Sequence, residues 1–148
     1  MGLFDAIEIA GSGLTAERVR MDVTSENLAN ADTTKTATGQ PYRRQEVVLQ
    51  QTEPGSFGGA LSGAMESGEE SSAGGVKVAS IVSDNTPDQQ IYDPGNPEAD
   101  AQGYVKMPNV NTVTEMTDLI SEQQSYQSDV TAMQTAKSMF TATLGLLK

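Results

Sequence analysis

All six prolines, at 41, 54, 87, 94, 97 and 108, lie in the middle of this 148-residue chain, and the first 40 and last 40 residues have none. Proline removes a backbone donor and clashes with the preceding helical turn, so this placement permits long helices at both ends and disfavours them between. Three parts are expected: an N-terminal helix and extended segment over 1–40, a small strand-and-loop middle over 41–108, and a C-terminal helix over 109–148. The expected fold class is mainly α, with a small β-rich middle. The long terminal helices are expected to pack as a coiled-coil-like hairpin around a small strand and loop insert.

In the N-terminal segment, Ile7, Leu14, Met21 and Leu28 recur every seven residues and define one apolar line of a helix. The companion line is mixed, through Phe4, Gly11, Arg18 and Ser25. The seam is therefore narrow. Gly11 and Gly13 each cost about 1 kcal/mol against alanine inside a helix. Two readings fit them: a close approach by a neighbouring helix, or a soft joint. The polar, threonine-rich run from Ala31 to Gly39 should end the helix ahead of Pro41.

The C-terminal stripe runs Val113, Met116, Ile120, Gln123, Tyr126, Val130, Met133, Lys137, Phe140, Leu144, Leu147, in steps of three and four. Thr112 and Glu115 have capping-box spacing at its start. A helix over 112–147 would be about 54 Å long at 1.5 Å per residue. In the middle, 42–51 and 75–82 carry strand-like apolar content. The stretch 54–75 is rich in Gly, Ser and Glu and reads as a flexible surface loop, and 92–97 reads as a turn cluster.

Composition narrows the function classes. Only 36% of the residues are hydrophobic and 5% aromatic, a weak endowment for an ordinary core, so some apolar surface is expected to serve other chains. There is no His and no Cys, which removes the commonest general base, the commonest metal ligand and any thiolate chemistry. The net charge of −11 argues against nucleic acid and anionic lipid as partners. Glu66, Glu69 and Glu70 have nothing apolar nearby to raise a pKa, and Asp84, Asp88 and Asp93 lack calcium-loop spacing. Arg43-Arg44 reads as a local surface contact. No catalytic residue, cofactor or metal is expected. No cleavable signal peptide is recognised, because Asp5 and Glu8 interrupt any apolar stretch after Met1.

A resemblance goes further. Ser25-Glu26-Asn27-Leu28-Ala29-Asn30-Ala31, followed by Gly39-Gln40-Pro41-Tyr42-Arg43, resembles the signature after the first helix of bacterial flagellar axial proteins. Tyr92-Asp93-Pro94-Gly95-Asn96-Pro97 and Gly103-Tyr104-Val105-Lys106-Met107-Pro108-Asn109-Val110 resemble the proximal-rod branch of that family. The tail from Glu115 through Ser125-Tyr126-Gln127 to Thr135-Ala136-Lys137-Ser138-Met139 continues the likeness. The resemblance implies a structural subunit of the basal-body rod, exported by the flagellar type III apparatus and transmitting torque through helix contacts. Implied partners are further copies and other rod proteins, without direct membrane insertion. The expected assembly interface comprises Ile7, Leu14, Met21, Asn27, Leu28 and Asn30 on the first helix. On the second it comprises Val113, Met116, Ile120, Tyr126, Val130, Met133, Phe140 and Leu144. A cytoplasmic coiled-coil adaptor and a carboxylate-dependent hydrolase are the other classes the residues leave open.

Overall fold

The computed structural model describes residues 3–52 and 74–146. Along the chain these form helix α1 (Leu3–Ala29), strands β1 (Gln45–Gln51), β2 (Val76–Ser83), β3 (Gln89–Tyr92) and β4 (Tyr104–Met107), and helix α2 (Thr112–Leu146). Two long terminal helices flanking a small β insert are the arrangement that the proline distribution permits. The expected loop 54–75 lies outside the described residues except for Gly74 and Gly75, as do Leu147 and the side chain of Phe4.

Both helix ends have local causes. α1 stops at Ala29, where the Asn30 N–H bonds the carbonyls of Glu26 and Asn27 and the Asn30 carbonyl accepts from Thr33 in a turn. α2 begins with Asn111 as its cap: Asn111 Oδ1 accepts from the N–H groups of Val113 (3.0 Å) and Thr114 (3.2 Å). This corrects the expected Thr112/Glu115 capping box. Asn111 takes the cap one residue earlier, and Glu115 is held elsewhere.

The strands make two separate two-stranded sheets, β1 with β2 and β3 with β4. β3 and β4 are antiparallel, with Ile91 opposite Val105 and Tyr92 opposite Tyr104. This second ribbon is not anticipated by the apolar pattern, because its strands have four residues each and the 92–97 turn cluster overlaps β3. Gly103 closes its loop at φ +84°, where a Cβ would meet Tyr92 Cε2 at 2.9 Å, so both the backbone and the ring require glycine. The two tyrosines stack edge to face at 5.3 Å.

The chain divides into two compact units. The first takes the described parts of 1–18, 49–79 and 124–148; the second takes 19–48 and 80–123. Among the described residues, buried apolar side chains are few: Ala16 and Ala136 in the first unit, and Val23, Ala31, Tyr42, Val105 and Val110 in the second. Three of these seven are alanine, and Pro41 and Pro108 of the second unit are also buried, so little bulky apolar surface goes into the chain's own core.

Candidate assembly surface

In the second unit, α1 and α2 meet through polar side chains. Asn27 is 1% exposed and uses its whole hydrogen-bonding capacity. Its Oδ1 accepts from the Tyr42 hydroxyl (3.0 Å) and the Gln45 N–H (2.9 Å). Its Nδ2 donates to the Gln45 carbonyl (2.8 Å) and to Glu115 Oε2 (3.1 Å). Glu115, also 1% exposed, receives Arg44 Nε on its other oxygen at 2.5 Å. Arg44 also pairs with Glu46 and lies 3.7 Å from Asp118. One turn along, the Thr24 hydroxyl donates to Glu122 Oε1 (3.1 Å), which Arg20 approaches at 3.5 Å.

The electrostatics follow this packing. Burial, with the charges of Glu26 and Glu115, pushes the Tyr42 phenol up to about 12. Burial acts to lower the Arg44 guanidinium, but hydrogen bonding and charge from Glu115 outweigh it and raise the net value. The exposed Asp84 carboxyl is lowered by the hydroxyl and N–H of Thr86, and that of Asp100 by the N–H groups of Tyr104 and Gln102. These are turn contacts. Among the described residues no group of three or more acidic, His or Cys side chains could hold a metal. No described helix is long and apolar enough to cross a membrane.

The apolar face of α2 in this unit points the other way. Val113 is 72% exposed, Met116 52% and Ile120 66%. Val113 and Ile120 each lie two positions before Glu115 and Glu122, about 200° around a helix of 3.6 residues per turn. Here α2 buries its carboxylates and presents its apolar stripe to solvent, the reverse of an ordinary surface helix. On α1, Ile7, Leu14 and Met21 stand the same two positions from Ile9, Ala16 and Val23. These seam residues, with Leu28 and Asn30, are half-buried. Tyr126, Val130, Met133 and Phe140 are half-buried and Leu144 is exposed. The expected interface residues therefore do not form one intramolecular seam.

In the first unit small residues bring the helices close. A Cβ on Gly13 would stand 2.8 Å from Asp129 Oδ2, and one on Gly11 3.7 Å from Met133 Cε. Of the two readings of these glycines, the structure supports close approach. Beside them is an apolar groove of about 560 Å³ lined by Ile9, Gly13, Ala16, Leu49, Val76 and Ala132 among others.

The Arg43-Arg44 reading needs correction for its second member. Arg43 does make a surface contact, 3.6 Å from Asp88. Arg44 instead reaches a buried carboxylate 71 residues away in sequence. Nothing in the local pattern marks Asn27, Arg44 and Glu115 as partners of one another.

Comparison with known proteins defines the class. A family model described as flagella basal body rod protein matches residues 7–35, and one described as flagellar basal body rod FlgEFG protein C-terminal matches residues 101–146. The two matches fall on α1 with its following turn and on β4 with α2, the elements that carry the buried Asn27–Glu115 bond and the exposed α2 stripe.

Full-length relatives are more specific. The flagellar basal-body rod protein FlgC of Escherichia coli O6:H1 is 46% identical over 146 residues, covering 99% of this chain and 98% of that protein. FlgC of Salmonella typhimurium is 42% identical with the same coverage, and FlgC of Bacillus subtilis is 45% identical over 152 aligned positions, covering all of both chains. This chain belongs to the FlgC family of flagellar basal-body rod proteins, the structural subunits of the rod.

Proposed function

We propose that the chain builds the proximal part of the rod by docking the outward apolar stripe of α2, together with the half-buried apolar line of α1, on neighbouring copies and on other rod proteins. The single observation that carries this reading is the exposed stripe Val113, Met116 and Ile120 on a helix whose inner face is polar. An apolar line of this kind is costly in water and favourable once another helix covers it. Torque then passes through packed helices and involves no chemical turnover. The absence of His and Cys from the sequence supports a non-enzymatic role. Export through the flagellar type III apparatus completes the reading.

The test is Val113→Asp with Ile120→Asp. Both side chains are exposed in the subunit, so the purified variant should keep its thermal midpoint while incorporation into basal bodies and swimming are lost. Normal rods and motility in that variant would rule out this face.

A further inference from the structure

In the second unit, Val113, Met116 and Ile120 form one exposed line on α2, about 10 Å long at 1.5 Å per residue. Among the described helical residues the other exposed large apolar side chains are Met139 and Leu144, which stand five positions apart, about 140° around the helix, and make no line. In the first unit, α1 lines the apolar groove of about 560 Å³ from Ala6 to Glu17, about 16 Å at the same rise. The lining combines small side chains, Ala10, Gly13 and Ala132, with the larger Ile9, Leu49 and Val76. The groove is therefore long enough for the stripe, and bulky side chains set against small ones interdigitate.

Ser12 holds one side of the groove in place. Its Oγ accepts from the Val76 N–H at 3.0 Å and donates to the Ile9 carbonyl at 2.7 Å, so β2 is tied to α1 there before any partner arrives. The described lining residues include two carboxylates, Glu17 and Asp129, and no cation. An occupant that brought carboxylates of its own would be repelled. The stripe brings none. Glu115 and Glu122 are buried on the polar side of α2, 1% and 4% exposed, and Asp118 lies on that side too, 3.7 Å from Arg44. Gln123 and Gln124, exposed beside Ile120, carry amide donors that suit Glu17 and Asp129.

We infer that the stripe Val113, Met116 and Ile120 of one copy seats in the α1-lined groove of a second copy. Length, side-chain size and the uncharged surround of the stripe select this occupant, and every copy carries both halves of the contact. A contact between two different surfaces leaves a stripe open at one end and a groove at the other, so it repeats head to tail into a ring or a helical array. The inference rests on the rod reading above and deepens it by naming the surface that covers the exposed stripe.

The sequence has no Cys, so site-specific crosslinking reads the contact directly. Ile120→Cys and Ala132→Cys, both at exposed positions, are co-expressed as separate full chains, and basal bodies isolated from those cells are treated with a short bis-maleimide. The expected product has twice the subunit mass and joins one copy of each variant; Val113→Cys replaces Ile120→Cys if that variant does not incorporate. Ala132→Glu should keep the parental thermal midpoint as a purified subunit and lower incorporation on the order of tenfold or more, through added negative charge at the lining. Absence of the mixed product, or linkage of the Ile120→Cys chain only to itself or to a different protein, overturns the inference, as does normal incorporation of Ala132→Glu. The rod reading is judged separately, by the Val113→Asp/Ile120→Asp variant: if that variant still blocks assembly while the mixed product is missing, the stripe docks and this occupant is wrong.

Discussion

Asn27 Nδ2, on the last turns of α1, donates to Glu115 Oε2 on the first turn of α2 at 3.1 Å, across 88 residues of sequence and with both side chains buried. This bond is the centre of a clasp in which every polar atom of the Asn27 side chain has a partner. A satisfied buried network of this kind fixes register, because any slip of one helix would leave several buried groups unpaired at once. It also explains how the helices can hold together here while the apolar stripe of α2 remains exposed.

Asn27→Leu is expected to destabilise the subunit by about 3 kcal/mol. It strands the Tyr42 hydroxyl, the Gln45 peptide and a Glu115 oxygen without partners, each a desolvated group with its own penalty. Urea unfolding of the purified subunit measures it. A loss below about 1 kcal/mol would mean that the network is not closed in solution.

Breaking one side of the Arg44–Glu115 pair should cost more than removing both. Arg44→Met alone is expected to cost about 3 kcal/mol, since it leaves the Glu115 carboxylate buried without its cation, and Glu115→Leu alone should cost less, because Arg44 keeps Glu46 and Asp118 beside it. The double variant should recover part of that loss. A double-mutant cycle reads the coupling directly, and strict additivity would contradict the ion pair.

Tyr42 sets an alkaline limit on stability. Its phenol is raised from 10.0 to about 12 in the folded chain, so the folded state holds its proton when the unfolded chain has lost it. The contribution is complete below pH 10 and disappears as pH rises toward 12. Tyr42→Phe should cost about 1 kcal/mol at neutral pH through the lost bond to Asn27, yet flatten the decline between pH 10 and 12. Thermal midpoints across that range compare the two proteins.

Gly11→Ala should stabilise the free subunit by about 0.5–1 kcal/mol. The new methyl meets Met133 Cε at ordinary contact distance, 3.7 Å, and the helix gains propensity. Gly13→Ala gains the same propensity but places its methyl against the Asp129 carboxylate. Its benefit should be smaller. Equilibrium unfolding of the two variants ranks them, and the reverse order would place the tighter contact at Gly11.

Much of the architecture is legible in the sequence. The proline-free ends give both helices, and the apolar runs at 46–49 and 76–82 mark the first sheet. The β3–β4 ribbon is not legible, because four-residue strands beside Pro94 and Pro97 carry too few side chains to show a period. The Thr112/Glu115 spacing suggests a cap that Asn111 provides instead. That Asn27 and Glu115 are buried against each other is not legible, since a polar residue on a helix is ordinarily at the surface.

The sequence by itself determined that two long helices flank a small β insert, because proline position and apolar spacing act locally along the chain. It also removes imidazole and thiolate chemistry, because the sequence has no His and no Cys. Only the tertiary structure decided which face of each helix turns inward. Heptad spacing identifies an apolar line, but whether that line meets its own chain or another depends on contacts made across 88 residues. In the second unit the answer is the polar line, because Asn27, Arg44, Tyr42 and Glu115 satisfy one another there and leave Val113, Met116 and Ile120 for a neighbour.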